Sequence, residues 1–266
     1  MQDKNNLHRP RKRFGQHFLH DPNILRQIVD AIQPKPTQNI VEIGPGQGAL
    51  THLMLERAQQ MTAIELDRDL IPLLQESTHA IGTLNLINAD ALDFDFSSLT
   101  STPQHLRITG NLPYNISTPL IFHLLEYLPL IKDMHFLLQK EVVDRLAAQP
   151  GSSAYGRLSV MVQYYCSATR LFRVGPGAFR PPPKVDSAVV RLIPHSPIPF
   201  QANHYPDFSA LVRQAFSQRR KTLRRSLKSW ASEKDFLNAG IDSGLRPEQL
   251  SPQQFVELSN VLTVTS

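Results

Sequence analysis

The segment GNLPY (110–114) brings together an amide, a proline and an aromatic ring directly after a predicted strand. Proline fixes its own φ and disfavours the helical conformation at the preceding residue, so the Leu112 carbonyl is expected in an extended backbone beside the Asn111 side chain. Two oxygen acceptors at such a position suit both hydrogens of an exocyclic amino group. Tyr114 suits stacking on the ring that carries this amine. We therefore predict that Asn111, Leu112, Pro113 and Tyr114 bind a nucleobase amine.

Methyl transfer is the chemistry that two such acceptors favour. The lone pair of an adenine N6 is delocalised into the purine, so this nitrogen is a poor nucleophile. Two acceptors favour a pyramidal nitrogen and stabilise the positive charge that grows as it takes a methyl group from a sulfonium. No strong base is required, because the methylated ammonium is acidic enough to lose its proton to solvent.

A glycine-rich loop and two acidic residues follow the first three predicted strands. Gly44 and Gly46 lie in VEIGPGQGAL (41–50), where glycines permit a tight turn and a close approach of the backbone to a ligand. The loop fits a dinucleotide, fits S-adenosylmethionine, or is simply a structural turn. Glu65 suits a ribose diol and Asp90 an adenine amino group, although each residue alone could be a solvated acid. Together these strand ends predict a nucleoside-shaped site.

A second aromatic residue follows later in the chain. Phe179 lies in GAFRPPPKVDSAVV (177–190), and three consecutive prolines exclude a helix. The ring is predicted to sit on a rigid loop and to form, with Tyr114, a sandwich around a flipped-out base. The alternative for Phe179 is a side chain that fills the core.

Apolar runs alternate with helical patterns from residue 39 onward. The predicted strands are 39–43, 61–66, 84–88, 105–109, 134–139, 159–166 and 187–193. Such alternation is typical of an α/β fold with a mostly parallel sheet, in which ligands bind at the carboxyl ends of the strands. Prolines 194, 197 and 199 indicate a linker before a helical segment. We therefore predict two domains, 1–195 and 196–266.

Composition excludes several classes of protein. With 41% hydrophobic and 19% charged residues in a chain of 266, the sequence is that of a folded protein and not a disordered one. No apolar run approaches the ~18 residues needed to span a bilayer, and the first residues lack the apolar region of a secretory signal. The single cysteine, Cys166, is predicted to be a buried hydrophobic residue. We expect a cytoplasmic protein with no membrane association.

The net charge of +5 is concentrated in two segments, RPRKR (9–13) and QRRKTLRRSLK (218–228). A helical wheel over 212–230 separates an apolar stripe from a basic face. The stripe comprises Val212, Ala215, Phe216, Leu223, Leu227 and Trp230. The basic face comprises Arg213, Arg220, Lys221, Arg224, Arg225 and Lys228. A solvated surface is one explanation, but six cations without an intervening acid favour contact with RNA phosphates.

Six motifs, in this order, resemble the bacterial small-subunit rRNA adenine dimethyltransferases, which are related to the erythromycin-resistance methyltransferases. They are KRFGQHFLHD, VEIGPGQGALT, AIELDRDL, NADAL, GNLPYNIST and FRPPPKVDSAVV. The resemblance covers nearly the whole chain. It implies a Rossmann-like, S-adenosylmethionine-dependent methyltransferase domain and a small all-α RNA-binding domain. It also implies N6,N6-dimethylation of two adjacent adenines near the 3′ end of 16S rRNA, within the immature small subunit.

The same resemblance assigns roles to residues. His17 and Leu19 would contact the cofactor, and Gly44, with Gly46, would line its methionine part. Glu65 would bind the ribose and Asp90 the cofactor adenine. Asn111 would face both the cofactor and the target amine, while Tyr114 and Phe179 would stack on the target base. The family usually has Asn at the position of His17. No metal is expected, because His17 and His20 lack further clustered ligands.

Two other functions remain open from the sequence. A nicotinamide-dependent oxidoreductase is favoured by the glycine loop but leaves the NLPY segment and the basic face unexplained. A nucleic-acid-binding ribosome-assembly factor with a vestigial site would explain the charge but not the intact motifs. We expect the protein to be a monomer.

Overall fold

The computed structural model describes residues 17–218 and 220–264. The strands are β1 (Phe18–Leu19), β2 (Asn39–Ile43), β3 (Gln60–Glu65), β4 (Thr83–Asn88), β5 (Leu106–Asn111), β6 (Ile131–Gln139), β7 (Cys166–Val174), β8 (Phe179–Arg180) and β9 (Ser187–Pro194). The α-helices are α1 (Pro22–Ile32), α2 (Ala49–Ala58), α3 (Ile71–Thr78), α4 (Ser117–Leu124), α5 (Lys140–Leu146), α6 (Arg157–Tyr165), α7 (Tyr205–Ala215), α8 (Leu223–Ser226), α9 (Glu233–Asn238) and α10 (Pro252–Val264). Short 3₁₀ helices occur at Phe96–Leu99, Leu125–Leu130, Pro176–Ala178, Phe216–Gln218 and Pro247–Gln249.

Seven of the described strands form one sheet in the order β4–β3–β2–β5–β6–β9–β7. The pairs from β4 to β6 are all parallel, and β9 runs antiparallel to β6. Helices connect the parallel strands, as right-handed crossovers require. The predicted α/β class with a Rossmann-like, mostly parallel sheet is confirmed. The strand order reverses direction beside β2, so the carboxyl ends of β2 and β5 flank the place where such sheets bind ligands.

Helix α1 covers one face of the sheet with an apolar stripe. Asp21 caps its N-terminus by accepting hydrogen bonds from the backbone N–H groups of Asn23 and Ile24. Leu25, Ile28, Val29 and Ile32 are buried at helical spacing against the strands and α2.

A buried charge cluster ties the end of α1 to the sheet. The Arg107 guanidinium on β5 contacts both carboxylate oxygens of Asp133 on β6, at 3.0–3.1 Å. It also donates to the Ile32 carbonyl at 2.7 Å and to the Gln38 side chain at 2.7 Å. Carbonyls at a helix C-terminus lack partners within the helix, so Arg107 stabilises the end of α1 as well as Asp133.

The prediction of a strand at 159–166 was wrong. Residues Arg157–Tyr165 form α6, in which Leu158, Val160, Met161, Val162 and Tyr164 are buried. A helix buried on most sides has no amphipathic period, so its apolar run resembles that of a buried strand. Cys166 begins β7 immediately afterwards and is fully buried, which raises the pKa of its thiol to about 12.

By their contacts the described residues form two compact units. The first comprises the described residues up to 140 together with 170–192, and the second comprises 141–169 with the described residues from 193 onward. This division differs from a single boundary at residue 195, because α6 belongs with the C-terminal helices. None of the described helices is long and apolar enough to cross a membrane.

Candidate active site

A cavity opens at the carboxyl ends of β2, β3 and β5, within the first compact unit. Ten of the residues predicted from the sequence line it: His17, Leu19, Gly44, Gly46, Glu65, Asp90, Asn111, Leu112, Pro113 and Tyr114. These residues come from separate motifs spread over about a third of the chain. The parallel sheet brings them together because its strand ends meet at one edge.

The glycine loop after β2 is shaped by backbone conformations that favour glycine. Gly44 and Gly46 have φ values of +67° and +59°. A Cβ at Gly46 would lie 3.1 Å from the Phe18 ring, so the loop packs closely against β1. A Cβ at Gly44 would meet no described atom within 4 Å, and this residue lines the cavity.

Glu65, at the end of β3, is held by the backbone of the same loop. Its carboxylate accepts hydrogen bonds from the N–H groups of Gly46 at 3.1 Å and Asp67 at 2.8 Å. Burial raises the pKa of Glu65, and these hydrogen bonds oppose the rise. The carboxylate is thus fixed at the wall of the cavity and retains lone pairs suited to two vicinal hydroxyl groups.

Asp90 lies beyond the end of β4. One of its oxygens accepts the backbone N–H of Leu92 at 2.9 Å. This bond orients the side chain, and the second oxygen can accept from an amino group.

The orientation of the Asn111 amide is fixed by its partner. Its Nδ2 donates to the backbone carbonyl of His17 at 3.0 Å, and a carbonyl can only accept. The Oδ1 atom is therefore the acceptor that Asn111 offers elsewhere. Next to it, the Leu112 N–H donates to the Leu137 carbonyl at 3.2 Å, which fixes the backbone that follows β5.

Tyr114 is anchored at its hydroxyl and on one ring face. The hydroxyl lies 2.8 Å from the Ser187 Oγ, and the ring stacks on His17 with centroids 5.6 Å apart and planes at 29°. The Nδ1 atom of His17 donates to the Pro181 carbonyl at 2.7 Å, which fixes the position of the imidazole. Burial raises the pKa of Tyr114, so the phenol is uncharged at neutral pH.

Phe179 does not line the cavity. It belongs to β8, which pairs with β1 so that Phe179 lies opposite Leu19. Its side chain is 2% exposed and packs in the core with Leu137 and Val189. The predicted sandwich around a base is therefore not formed in this conformation, because burial with apolar neighbours is the more favourable place for this ring. Stacking would require Phe179 to leave the core.

Glu42 is a cavity residue that the sequence analysis missed. It lies on β2 two residues before Gly44, is 2% exposed, and accepts the Thr51 hydroxyl at 2.7 Å. Burial raises the pKa of Glu42 to about 7; the Thr51 hydrogen bond opposes this rise and the nearby Glu65 adds to it. The available signal was an acid within the apolar strand NIVEI, since an unpaired buried carboxylate is costly.

All six residues of the predicted basic face are exposed, but they do not lie on one helix. Arg213 is on α7, which ends at Ala215, whereas Arg224 and Arg225 are on α8. The single helix assumed for 212–230 was therefore wrong. Val212, Ala215, Leu223 and Leu227 of the apolar stripe are buried, Phe216 is partly buried and Trp230 is 41% exposed. The cluster RPRKR (9–13) and Arg219 lie outside the described residues.

Within the described ranges no group of three or more His, Cys, Asp or Glu side chains is arranged to hold a metal ion. The cavity instead suits a nucleoside-containing ligand. Its fixed carboxylates at Glu65 and Asp90 suit hydroxyl and amino donors, and the open space at Gly44 allows a ligand to approach the backbone.

Comparisons with known proteins identify the family. The model of the family described as ribosomal RNA adenine dimethylase matches residues 7–264. Proteins named ribosomal RNA small subunit methyltransferase A are 55% identical in Pseudomonas fluorescens and 56% identical in Pseudomonas aeruginosa. Each alignment spans 255 residues and covers 96% of this chain, with 94% and 95% of the respective relatives.

Solved structures show the same fold. A dimethyladenosine transferase from Plasmodium falciparum has a TM-score of 0.79 and 29% identity, over 91% of this chain and 96% of its own. The 23S rRNA methyltransferase ErmE has a TM-score of 0.75 and 26% identity, over 92% and 99%. These similarities favour the methyltransferase interpretation over an oxidoreductase and over a factor with a vestigial site. The chain belongs to the ribosomal RNA adenine dimethylase family.

Proposed function

We propose that the protein dimethylates N6 of two adjacent adenines near the 3′ end of 16S rRNA, using S-adenosylmethionine, during maturation of the small ribosomal subunit. The names of its relatives support rRNA of the small subunit as the substrate. The observation that carries the proposal is the Asn111 amide, whose Nδ2 is held by the His17 carbonyl so that Oδ1 is the free acceptor.

The residues that would hold the cofactor surround the glycine loop. Glu65 would bind the ribose hydroxyls, Asp90 the adenine amino group, and the backbone at Gly44 the methionine part. His17 and Leu19 would close the site from β1. When bound, S-adenosylmethionine supplies an electrophilic methyl group.

The NLPY segment would activate the target amine. Asn111 Oδ1 and the Leu112 carbonyl would each accept one hydrogen of N6, which concentrates the lone pair on nitrogen and stabilises the charge that develops there. Tyr114 would stack on the purine with the ring face that His17 does not cover. The proton leaves to solvent after the transfer, so no general base is required.

The exposed cations of the second unit would contact RNA phosphates: Arg213, Arg220, Lys221, Arg224, Arg225 and Lys228. In this proposal residues 1–195 contain the methyltransferase site and 196–266 the RNA-binding helices, with α6 contributing to the packing of those helices. Recognition of folded RNA by shape, rather than by a base sequence, fits a surface of exposed cations. We propose that the protein acts as a monomer in the cytoplasm, where a reduced, buried Cys166 is at home.

The test is transfer of labelled methyl groups to small subunits from cells that lack this modification, followed by nucleoside analysis. We expect N6,N6-dimethyladenosine at two adjacent positions near the 3′ end of 16S rRNA. Label in another nucleoside, or no label with intact cofactor binding, would contradict the proposal.

A further inference from the structure

Four polar side chains lie in one row across the sheet, and the row begins at the cavity. The registers pair Glu42 on β2 with Thr109 on β5, Thr109 with His135 on β6, and His135 with Arg191 on β9. Residues directly opposite one another on neighbouring strands point to the same face of a sheet. The row is therefore a contiguous polar line within an otherwise apolar layer.

The members of this row are buried, and several of their atoms lack partners. Glu42, Thr109 and His135 are only 2–3% exposed. Thr109 Oγ1, His135 Nε2 and Arg191 Nε are buried and have no hydrogen-bond partner among the described residues. Buried polar groups in proteins are nearly always hydrogen-bonded, and ordered water fills the remaining gaps.

The far side of the row is fixed by charge. His135 Nδ1 lies 3.5 Å from the Asp133 carboxylate, and a carboxylate can only accept, so Nδ1 carries the hydrogen. Burial raises the pKa of Asp133, but the His135 hydrogen bond and the Arg107 charge outweigh it, and the net pKa lies below the usual value. His135 Nε2 consequently presents a lone pair toward the row when the imidazole is neutral.

The spacing of the row suits water. Neighbouring strands are about 4.8 Å apart, so two short polar groups on them are separated by roughly the distance that one bridging water spans. A water between Thr109 and His135 would donate to Nε2 and accept from the Thr109 hydroxyl or the Arg191 N–H. Thr109 also lies directly beside Glu42, on the opposite strand.

We propose that Thr109 and His135, bridged by buried water, are positioning residues for Glu42, and that this row holds the Glu42 carboxylate in its charged form at the wall of the cofactor site. The inference rests on the proposed use of S-adenosylmethionine, whose sulfonium and ammonium groups a carboxylate attracts. Because the Glu42 pKa is raised to about 7, hydrogen bonds that reach this residue decide its charge at neutral pH.

Other charged groups near this face are accounted for by position. Glu65 also lines the cavity and adds to the rise in the Glu42 pKa. Asp30 and Arg57 pair at 2.7 Å on the exposed sides of α1 and α2. The groups on these two helices that are exposed at least in part are Arg26, Asp30, His52, Glu56 and Arg57. On the sheet itself the row is accompanied by Arg107 and Asp133.

The test is a calorimetric titration with S-adenosylmethionine between about pH 5.5 and 8.5. Wild-type affinity should increase as the pH rises through about 7, because the ionised Glu42 attracts a cation. Thr109→Val removes the hydroxyl at nearly constant volume, so the increase should move to higher pH and the affinity at neutral pH should fall about three- to tenfold. Thr109→Ser keeps the hydroxyl and should restore the wild-type profile.

Thr78→Val is the matched control, because Thr78 is also 2% exposed and its hydroxyl donates to the Leu74 carbonyl on α3, away from the row. It should leave the pH profile unchanged. Wild-type profiles for both Thr109 variants would overturn the proposal. So would a high-resolution crystal structure of the wild type without a water bridging Thr109 Oγ1 and His135 Nε2, a measurement that does not depend on a variant that folds. Failure of the wild type to bind S-adenosylmethionine would instead contradict the proposed function.

Discussion

Alanine at Gly44 tests whether the cavity is the cofactor site. Gly44 has a φ of +67°, and a non-glycine residue in this region costs about 1–2 kcal/mol. The added Cβ meets no described atom within 4 Å, so we expect no further cost from a clash. At about 2–4 °C per kcal/mol, the melting temperature should fall by roughly 2–8 °C. Because Gly44 lines the cavity, we expect the methyl group to occupy space that the cofactor needs, and affinity for S-adenosylmethionine to fall at least about tenfold.

Gly151→Ala is the matched control for this experiment. Gly151 has a φ of +85°, its Cβ would also meet nothing within 4 Å, and it lies in the second compact unit. The two variants therefore share the backbone strain and differ in their position relative to the cavity. Calorimetric titration should show a large loss of affinity for Gly44→Ala alone, with circular dichroism confirming that both variants fold. Equal affinities for the two variants would refute the assignment of the cavity.

Two further predictions concern the basic face and the buried charge cluster. Glutamine at three exposed cations should weaken binding to small-subunit rRNA and flatten its dependence on salt by about 0.7 per lost phosphate contact, without changing cofactor affinity; an unchanged slope rejects the contact. Methionine at Arg107 should lower the free energy of unfolding by about 3–5 kcal/mol, since Asp133 is left buried without its charged partner. The pKa of Asp133 is depressed in the folded protein, so its stabilisation is present above about pH 4 and is lost as the pH falls through the folded value. In urea titrations the difference between wild type and variant should therefore narrow in acid, and a constant difference would contradict this origin. The cations to be changed are Arg224, Arg225 and Lys228, with exposed Lys35 and Lys132 as controls.

The part of the fold nearest the cavity was predictable from sequence. Strands β2 to β5 are short apolar runs that end in glycine or polar residues, and the observed strands match the predicted ones to within two residues at each end. Because parallel strand ends meet at one edge, the sequence order of Gly44, Glu65, Asp90 and Asn111 was enough to predict that they converge.

Other parts depended on contacts that a local pattern does not contain. The apolar run of α6 is buried on most sides, which removes the period that separates a helix from a strand. The pairing of β1 with β8 joins residues 160 positions apart, and only this pairing shows that Phe179 faces the core. Likewise, the hydrogen bond from Asn111 to the His17 carbonyl spans 94 positions, so the orientation of the amide required the folded chain.

The central claim is that Asn111 Oδ1 activates the target amine, and the rate of the chemical step tests it most directly. Methyl transfer to unmethylated small subunits is measured in a single turnover with saturating S-adenosylmethionine, for the wild type, Asn111→Ala and the control Asn85→Ala on the exposed part of β4. The account predicts that Asn111→Ala lowers the rate by at least about 10²-fold while Asn85→Ala keeps it. A wild-type rate for Asn111→Ala would contradict the account.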